Sequence, residues 1–71
     1  MLYTVNIKTN LKDLRVKSEI NQSEFARLCG VSRQTIHAIE TSKYTPSVEL
    51  ALRIAVILNL AVEEIFSLNE V

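Results

Sequence analysis

A chain of 71 residues and 8.0 kDa has room for one small core, which excludes a multidomain enzyme and predicts a single domain over residues 1–71. With 48% apolar and 23% charged residues and a mean hydropathy of +0.17, the chain is too apolar to stay disordered. Eight basic side chains balance eight acidic ones, so net charge by itself argues for neither a nucleic acid nor a membrane.

The charge is unevenly spread. Residues 1–43 carry seven basic and four acidic side chains, a net +3, whereas residues 44–71 carry Arg53 against Glu49, Glu63, Glu64 and Glu70, a net −3. An anionic partner is therefore expected on the first two thirds of the chain. The single cysteine, Cys29, cannot close an internal disulfide, which suits a reducing, cytoplasmic setting. Residues 1–10 lack the basic lead and apolar run of a signal peptide. The most apolar stretch, Val48 to Val62, contains Glu49 and Arg53 and falls short of the roughly 20 residues that span a bilayer, so no membrane partner is expected.

Taken in chain order, Leu2 to Ile7 alternates apolar with polar residues and predicts a strand, with Phe66 to Val71 as an antiparallel mate. Leu11, Leu14 and Ser18 predict a first helix of about three turns, ending near Ser18 or Glu19. Asn21 can cap the backbone of Glu24 while the Glu24 side chain reaches back, and Ile20 is spaced to staple onto Phe25. A second helix is thus predicted from Gln22 to about Cys29, stopping at Gly30. Ser32 repeats the start signal, with Val31 stapled to Ile36, and opens a third helix at Arg33.

Two short helices joined by a turn at a glycine form a helix-turn-helix, here over about residues 22–41. Small Ala26 lets the two helices cross closely. Ile36 and Ile39 turn inward, leaving Arg33, Gln34, His37 and Ala38 outside, and function is expected on that outer face. Residues 41–45 read as a loop. Pro46 then sets up a fourth helix, capped by Thr45 or Ser47 and running to Leu58 with Asn59 as a left-handed stop. A fifth covers Val62 to Phe66. Ala51, Ile54, Ala55 and Leu58 make an inward stripe on the fourth helix, and Val48, Leu50, Leu52, Val56 and Ile57 remain outside it. Such a surplus predicts a dimer surface over about residues 48–71, with Leu52, Val56, Ile57, Leu60 and Phe66 as its interface.

So placed, Leu11 to Phe66 closely resembles the Cro and phage-repressor type of helix-turn-helix, the XRE family of prokaryotic and phage transcription regulators. The resemblance rests on Asn21-Gln22-Ser23-Glu24-Phe25-Ala26, Gly30-Val31-Ser32-Arg33-Gln34-Thr35-Ile36, Ile39-Glu40, Lys43 and Pro46-Ser47. It implies an all-α, five-helix lambda-repressor-like fold, with the third helix in the major groove of double-stranded DNA. Arg33 and Gln34 would then read guanine and adenine edges, and Thr35, His37 and Ala38 would add a methyl contact or a single bond. Asn21, Gln22, Ser32, Thr41, Lys43 and Tyr44 would hold phosphates. Gln22 would also brace the start of the recognition helix, and Arg15 and Glu40 match a family ion pair that is structural. Three positions depart from the family: Ser42 where glycine is common, Ala61 where a capping Ser or Thr is common, and the N-terminal extension from Leu2 to Ile7.

The function implied is a homodimeric repressor on a palindromic operator, with a modest salt dependence because the net charge is zero. The alternative is an antitoxin-type module that binds a partner toxin and regulates its own operon. No enzyme, cofactor or metal site is expected. The sequence has no glycine-rich phosphate loop, and His37 and Cys29 are each the only residue of their kind. Cys29 reads as an apolar core filler.

Overall fold

A computed structural model describes residues 5–70 of the chain, and among these the elements run β1 (Val5–Thr9), α1 (Leu11–Lys17), α2 (Gln22–Cys29), α3 (Arg33–Glu40), α4 (Val48–Leu58), α5 (Val62–Ile65) and β2 (Phe66–Glu70). This is the expected all-α, five-helix, lambda-repressor-like arrangement, with a two-stranded ribbon added. Leu2 to Thr4 and Val71, part of the expected ribbon, lie outside the described residues.

Each helix begins and ends for a local reason. The Asn21 side chain accepts from Glu24 N, that of Ser32 from Thr35 N, and that of Ser47 from Leu50 N, which caps α2, α3 and α4. Gly30 (φ 75) ends α2 and Asn59 (φ 57) ends α4, both left-handed as expected. Among the described residues, the Glu24 carboxylate does not reach back to Asn21. It is paired with Arg27 along the exposed side of α2, and their hydrogen bond holds the carboxyl below its usual range.

Two helices are shorter than the sequence predicts. α1 stops at Lys17, because the chain reverses through Ser18 and a left-handed Glu19 (φ 60) so that Ile20 N can return to Arg15 O. α5 stops at Ile65, because Phe66 is extended (φ −125, ψ 143) and opens β2. The cap that Ala61 cannot provide is replaced by Glu64, whose carboxylate accepts from Ala61 N at 2.8 Å. Ser42, at the position where glycine is common, is left-handed (φ 61), a conformation that strains a serine.

The core gathers Leu11, Phe25, Ala26, Cys29, Ile36, Ile39, Leu50, Ile54, Ala55 and Ile65, drawn from all five helices. Leu50, expected outside the inward stripe of α4, is buried within it. Leu50 lies one turn before Ile54, so the two share the buried side of the helix with Ala55. Burying side chains of this size stabilises by about 1.5–3 kcal/mol each, which is what holds helices of only four to eleven residues together.

The ribbon is antiparallel, with Ile7 opposite Leu68 and Thr9 opposite Phe66. The Ile65 carbonyl helps tie it to the helices. The Ile65 carbonyl accepts from Thr9 Oγ1 at 2.7 Å and from Asn10 N at 3.3 Å, and the Asn10 side-chain amide, turned to satisfy its neighbours, donates to it at 3.0 Å. Thr9 Oγ1 also accepts from Leu11 N and so starts α1, which the Asn10 side chain does not cap.

Candidate nucleic-acid interface

The outer face of the helix-turn-helix is built from the buried side outward. Arg15 and Glu40 form the expected ion pair, their side chains only 9% and 2% exposed. Arg15 Nε donates to Glu40 Oε2 at 2.6 Å and a second guanidinium nitrogen to Oε1 at 3.3 Å, while the third reaches Ile20 O at 2.9 Å. This two-pronged pairing joins α1 to the end of α3 and the start of α2.

Gln22, at the first position of α2, carries the linkage onward. Its amide nitrogen donates to Glu40 Oε1 at 3.0 Å and lies 3.4 Å from His37 Nδ1, and its carbonyl oxygen accepts from Arg33 at 3.1 Å. The bracing expected of Gln22 is therefore present, directed at the Arg33 guanidinium. The contact with His37 was not legible in the sequence, because fifteen residues and a turn separate the two.

Arg33, Gln34 and His37 are exposed on α3, and Thr35 and Ala38 are half-buried beside them. Asn21, Ser32, Thr41, Lys43 and Tyr44 are exposed and flank this face from α2 and the 41–45 loop, while Gln22 is half-buried. Three of the flanking side chains already have local work. Asn21 and Ser32 cap helices, and the Thr41 hydroxyl donates to His37 O, whereas Arg33 and Lys43 are in no ion pair among the described residues. Such a face, with free cations, amide groups and a neutralised Glu40, suits a polyanion whose edges carry hydrogen-bond acceptors.

The back of the domain differs. Leu28, Leu52, Val56 and Ile57 line an open apolar groove beside Glu49 and Arg53, which are paired with each other. Val56 is 78% and Val48 77% exposed. Of the five expected interface residues, Leu52 and Val56 stand open, while Ile57, Leu60 and Phe66 are partly buried against the core. Phe66 does not join the others, for it lies with Tyr44 and Pro46 beneath the ribbon. Arg53, read in the sequence only for its charge, donates to Cys29 O at the end of α2 and so fastens the turn to α4. Burial pushes the Cys29 thiol up to about 11, which keeps it protonated and unreactive near neutral pH.

Among the described residues no helix is long and apolar enough to cross a membrane, and no three His, Cys, Asp or Glu side chains gather where a metal could be held.

Two capped helices across a glycine turn, with an exposed polar face on the second, define a helix-turn-helix DNA-binding domain. A helix-turn-helix family model matches residues 11–65, and the chain belongs to that family in its XRE-type, Cro-like form. It is 41% identical over 64 residues to an uncharacterised HTH-type transcriptional regulator of Archaeoglobus fulgidus, covering 90% of each chain. With one from Methanocaldococcus jannaschii it shares 45% over 60 residues, covering 84% of this chain and 91% of the other. The crystal structure of the restriction-modification controller protein from Aeromonas hydrophila superposes with a TM-score of 0.71 at 26% identity, covering 76% of this chain and 78% of that one. The protein is a DNA-binding transcriptional regulator of the helix-turn-helix class.

Proposed function

We propose that two copies of this chain bind a palindromic operator and repress transcription by occluding polymerase, with α3 of each copy in the major groove of one half-site. The observation that carries this reading is the exposed row Arg33, Gln34 and His37 on a helix whose opposite side, Ile36 and Ile39, is fully buried. Arg33 and Gln34 are the sequence readers, Thr35, His37 and Ala38 assist, and Asn21, Ser32, Thr41, Lys43 and Tyr44 hold the backbone. Gln22, expected among them, has its donors turned to Glu40 and His37 and braces Arg33 instead. The dimer closes through Leu52, Val56, Ile57 and Leu60. The exposed pair Leu52 and Val56, one turn apart on α4, supports this, since a twofold axis between them would set each against the other in the second copy. Phe66, set apart from that surface, is left out of the interface.

The test is selection of duplexes from a random pool at moderate salt, with the solution mass measured alongside. An inverted repeat with half-site centres about 34 Å apart, bound by a dimer, is expected. Arg33→Ala should relax preference at one base position, and Lys43→Ala should weaken all duplexes alike. A folded monomer that enriches no duplex refutes the proposal and moves attention to a partner, such as a toxin, for the groove at Leu28, Leu52 and Val56.

A further inference from the structure

Counting protons around Gln22 leads further than its bracing role. Its amide has two N–H donors and one carbonyl acceptor. The Glu40 carboxylate, gripped by Arg15, can only accept, so the Gln22 nitrogen must face it. The Gln22 oxygen is thereby turned to Arg33, and the second amide proton is turned to His37 Nδ1. That leaves one arrangement for the imidazole. With the amide proton turned to it at 3.4 Å, Nδ1 takes the acceptor role, which is that of the tautomer with its proton on Nε2.

We infer that His37 is a specificity-determining residue that reads DNA as a donor, presenting Nε2–H to a base edge that accepts, with its tautomer set through Gln22 by the buried Arg15–Glu40 pair. The inference rests on the DNA-reading role of α3 proposed above. His37 is exposed, and among the described residues its Nε2 has no protein partner. Guanine presents N7 and O6 in the major groove and thymine O4, whereas cytosine presents an N4 donor that would oppose the His37 proton. Adenine presents N7 as an acceptor beside its N6 donor, so the base facing His37 is guanine, thymine or adenine, and cytosine is rejected.

The first arm of the test needs no DNA. In the uniformly ¹⁵N-labelled protein above the titration range of histidine, the ring shifts should give a pyridine-type Nδ1 and a pyrrole-type Nε2. Gln22→Glu places an acceptor where the donor stood, and the proton should move to Nδ1 or a second proton should bind. Gln22→Leu removes the contact, and the Nδ1 shift should move towards the free-imidazole mixture, which keeps the test decisive should the Glu variant fail to fold. A pyrrole-type Nδ1 in the parent chain, or an Nδ1 shift that neither variant moves, overturns the inference.

The second arm compares duplexes selected by the parent chain and by His37→Ala. The position at which the variant relaxes its preference should favour guanine, thymine or adenine over cytosine by about fivefold, the worth of one hydrogen bond. A preference for cytosine there overturns the inference. Failure of the parent chain to enrich any duplex would instead refute the DNA-reading role, and the ring shifts would still decide the orientation of Gln22.

Discussion

Replacing Arg15 with Met keeps the apolar stem of the side chain and removes its charge. Glu40, 2% exposed, would then be left with a single donor, the Gln22 amide at 3.0 Å, and Ile20 O would lose its partner as well. Removing one member of a pair buried this deeply costs about 3–5 kcal/mol. Against it stands a total stability of about 4–10 kcal/mol, from the usual ~0.05–0.15 kcal/mol per residue. At ~4–8 °C per kcal/mol for a chain of this size, the melting temperature should fall by roughly 12–40 °C. Arg15→Met combined with Glu40→Leu removes both charges, and should return to within about 2 kcal/mol of the parent, since a buried pair contributes little net stability over an apolar one. Urea titration followed by circular dichroism on the parent, both single variants and the double variant gives the coupling energy directly. A loss below about 1 kcal/mol for Arg15→Met, or a double variant no more stable than the single, would refute the claim that burial makes this pair costly to break.

Ser42→Gly relieves a left-handed serine at φ 61 and should raise stability by about 1 kcal/mol, measured by the urea midpoint. Val56→Asp, at a position 78% exposed in the single chain, should shift sedimentation from dimer to monomer at micromolar concentration while leaving the helical signal unchanged. The Cys29 thiol ionises at about 11 in the folded chain against an ordinary 9.0, so ionisation favours the unfolded state. Its contribution is complete below pH 9 and is lost as pH rises towards 11; urea midpoints of Cys29→Ala should fall less steeply than the parent's across that window.

The sequence was most readable where the signal was local. Asn21, Ser32, Ser47, Gly30 and Asn59 each fix a helix end through atoms within five residues, so the bounds of α2, α3 and α4 followed from them. Reading failed where a distant atom decided the outcome. α5 ends early because Phe66 pairs with Thr9, far away along the chain, whereas the early end of α1 is local but unmarked, since Glu19 rather than a glycine or asparagine takes the left-handed turn. The Glu24 carboxylate had two partners in reach, and Arg27 offered a charge where the Asn21 backbone offered a neutral N–H. Phe66 is an apolar residue near the chosen dimer surface in sequence, yet its place in β2 turns it beneath the ribbon. At the interface, the residues of α3 were legible from periodicity, whereas the link from Glu40 through Gln22 to His37 depends on how two helices cross.

The single carbonyl of Ile65 that gathers Thr9 and Asn10 also orders the folding of the chain. α2 and α3 meet across a short turn and can form early, but the Thr9–Ile65 bond closes a loop of 56 residues, and the ribbon beyond it has only two strands. Closing so long a loop in an unfolded chain costs conformational entropy that no local contact offsets, although the cost grows only as the logarithm of loop length. Once the helices have assembled around Phe25 and Ile36, the same two ends are already neighbours and the loop closes at little further cost. The ribbon should therefore form last and open first, with the helix pair α2 and α3 outlasting the opening of β1.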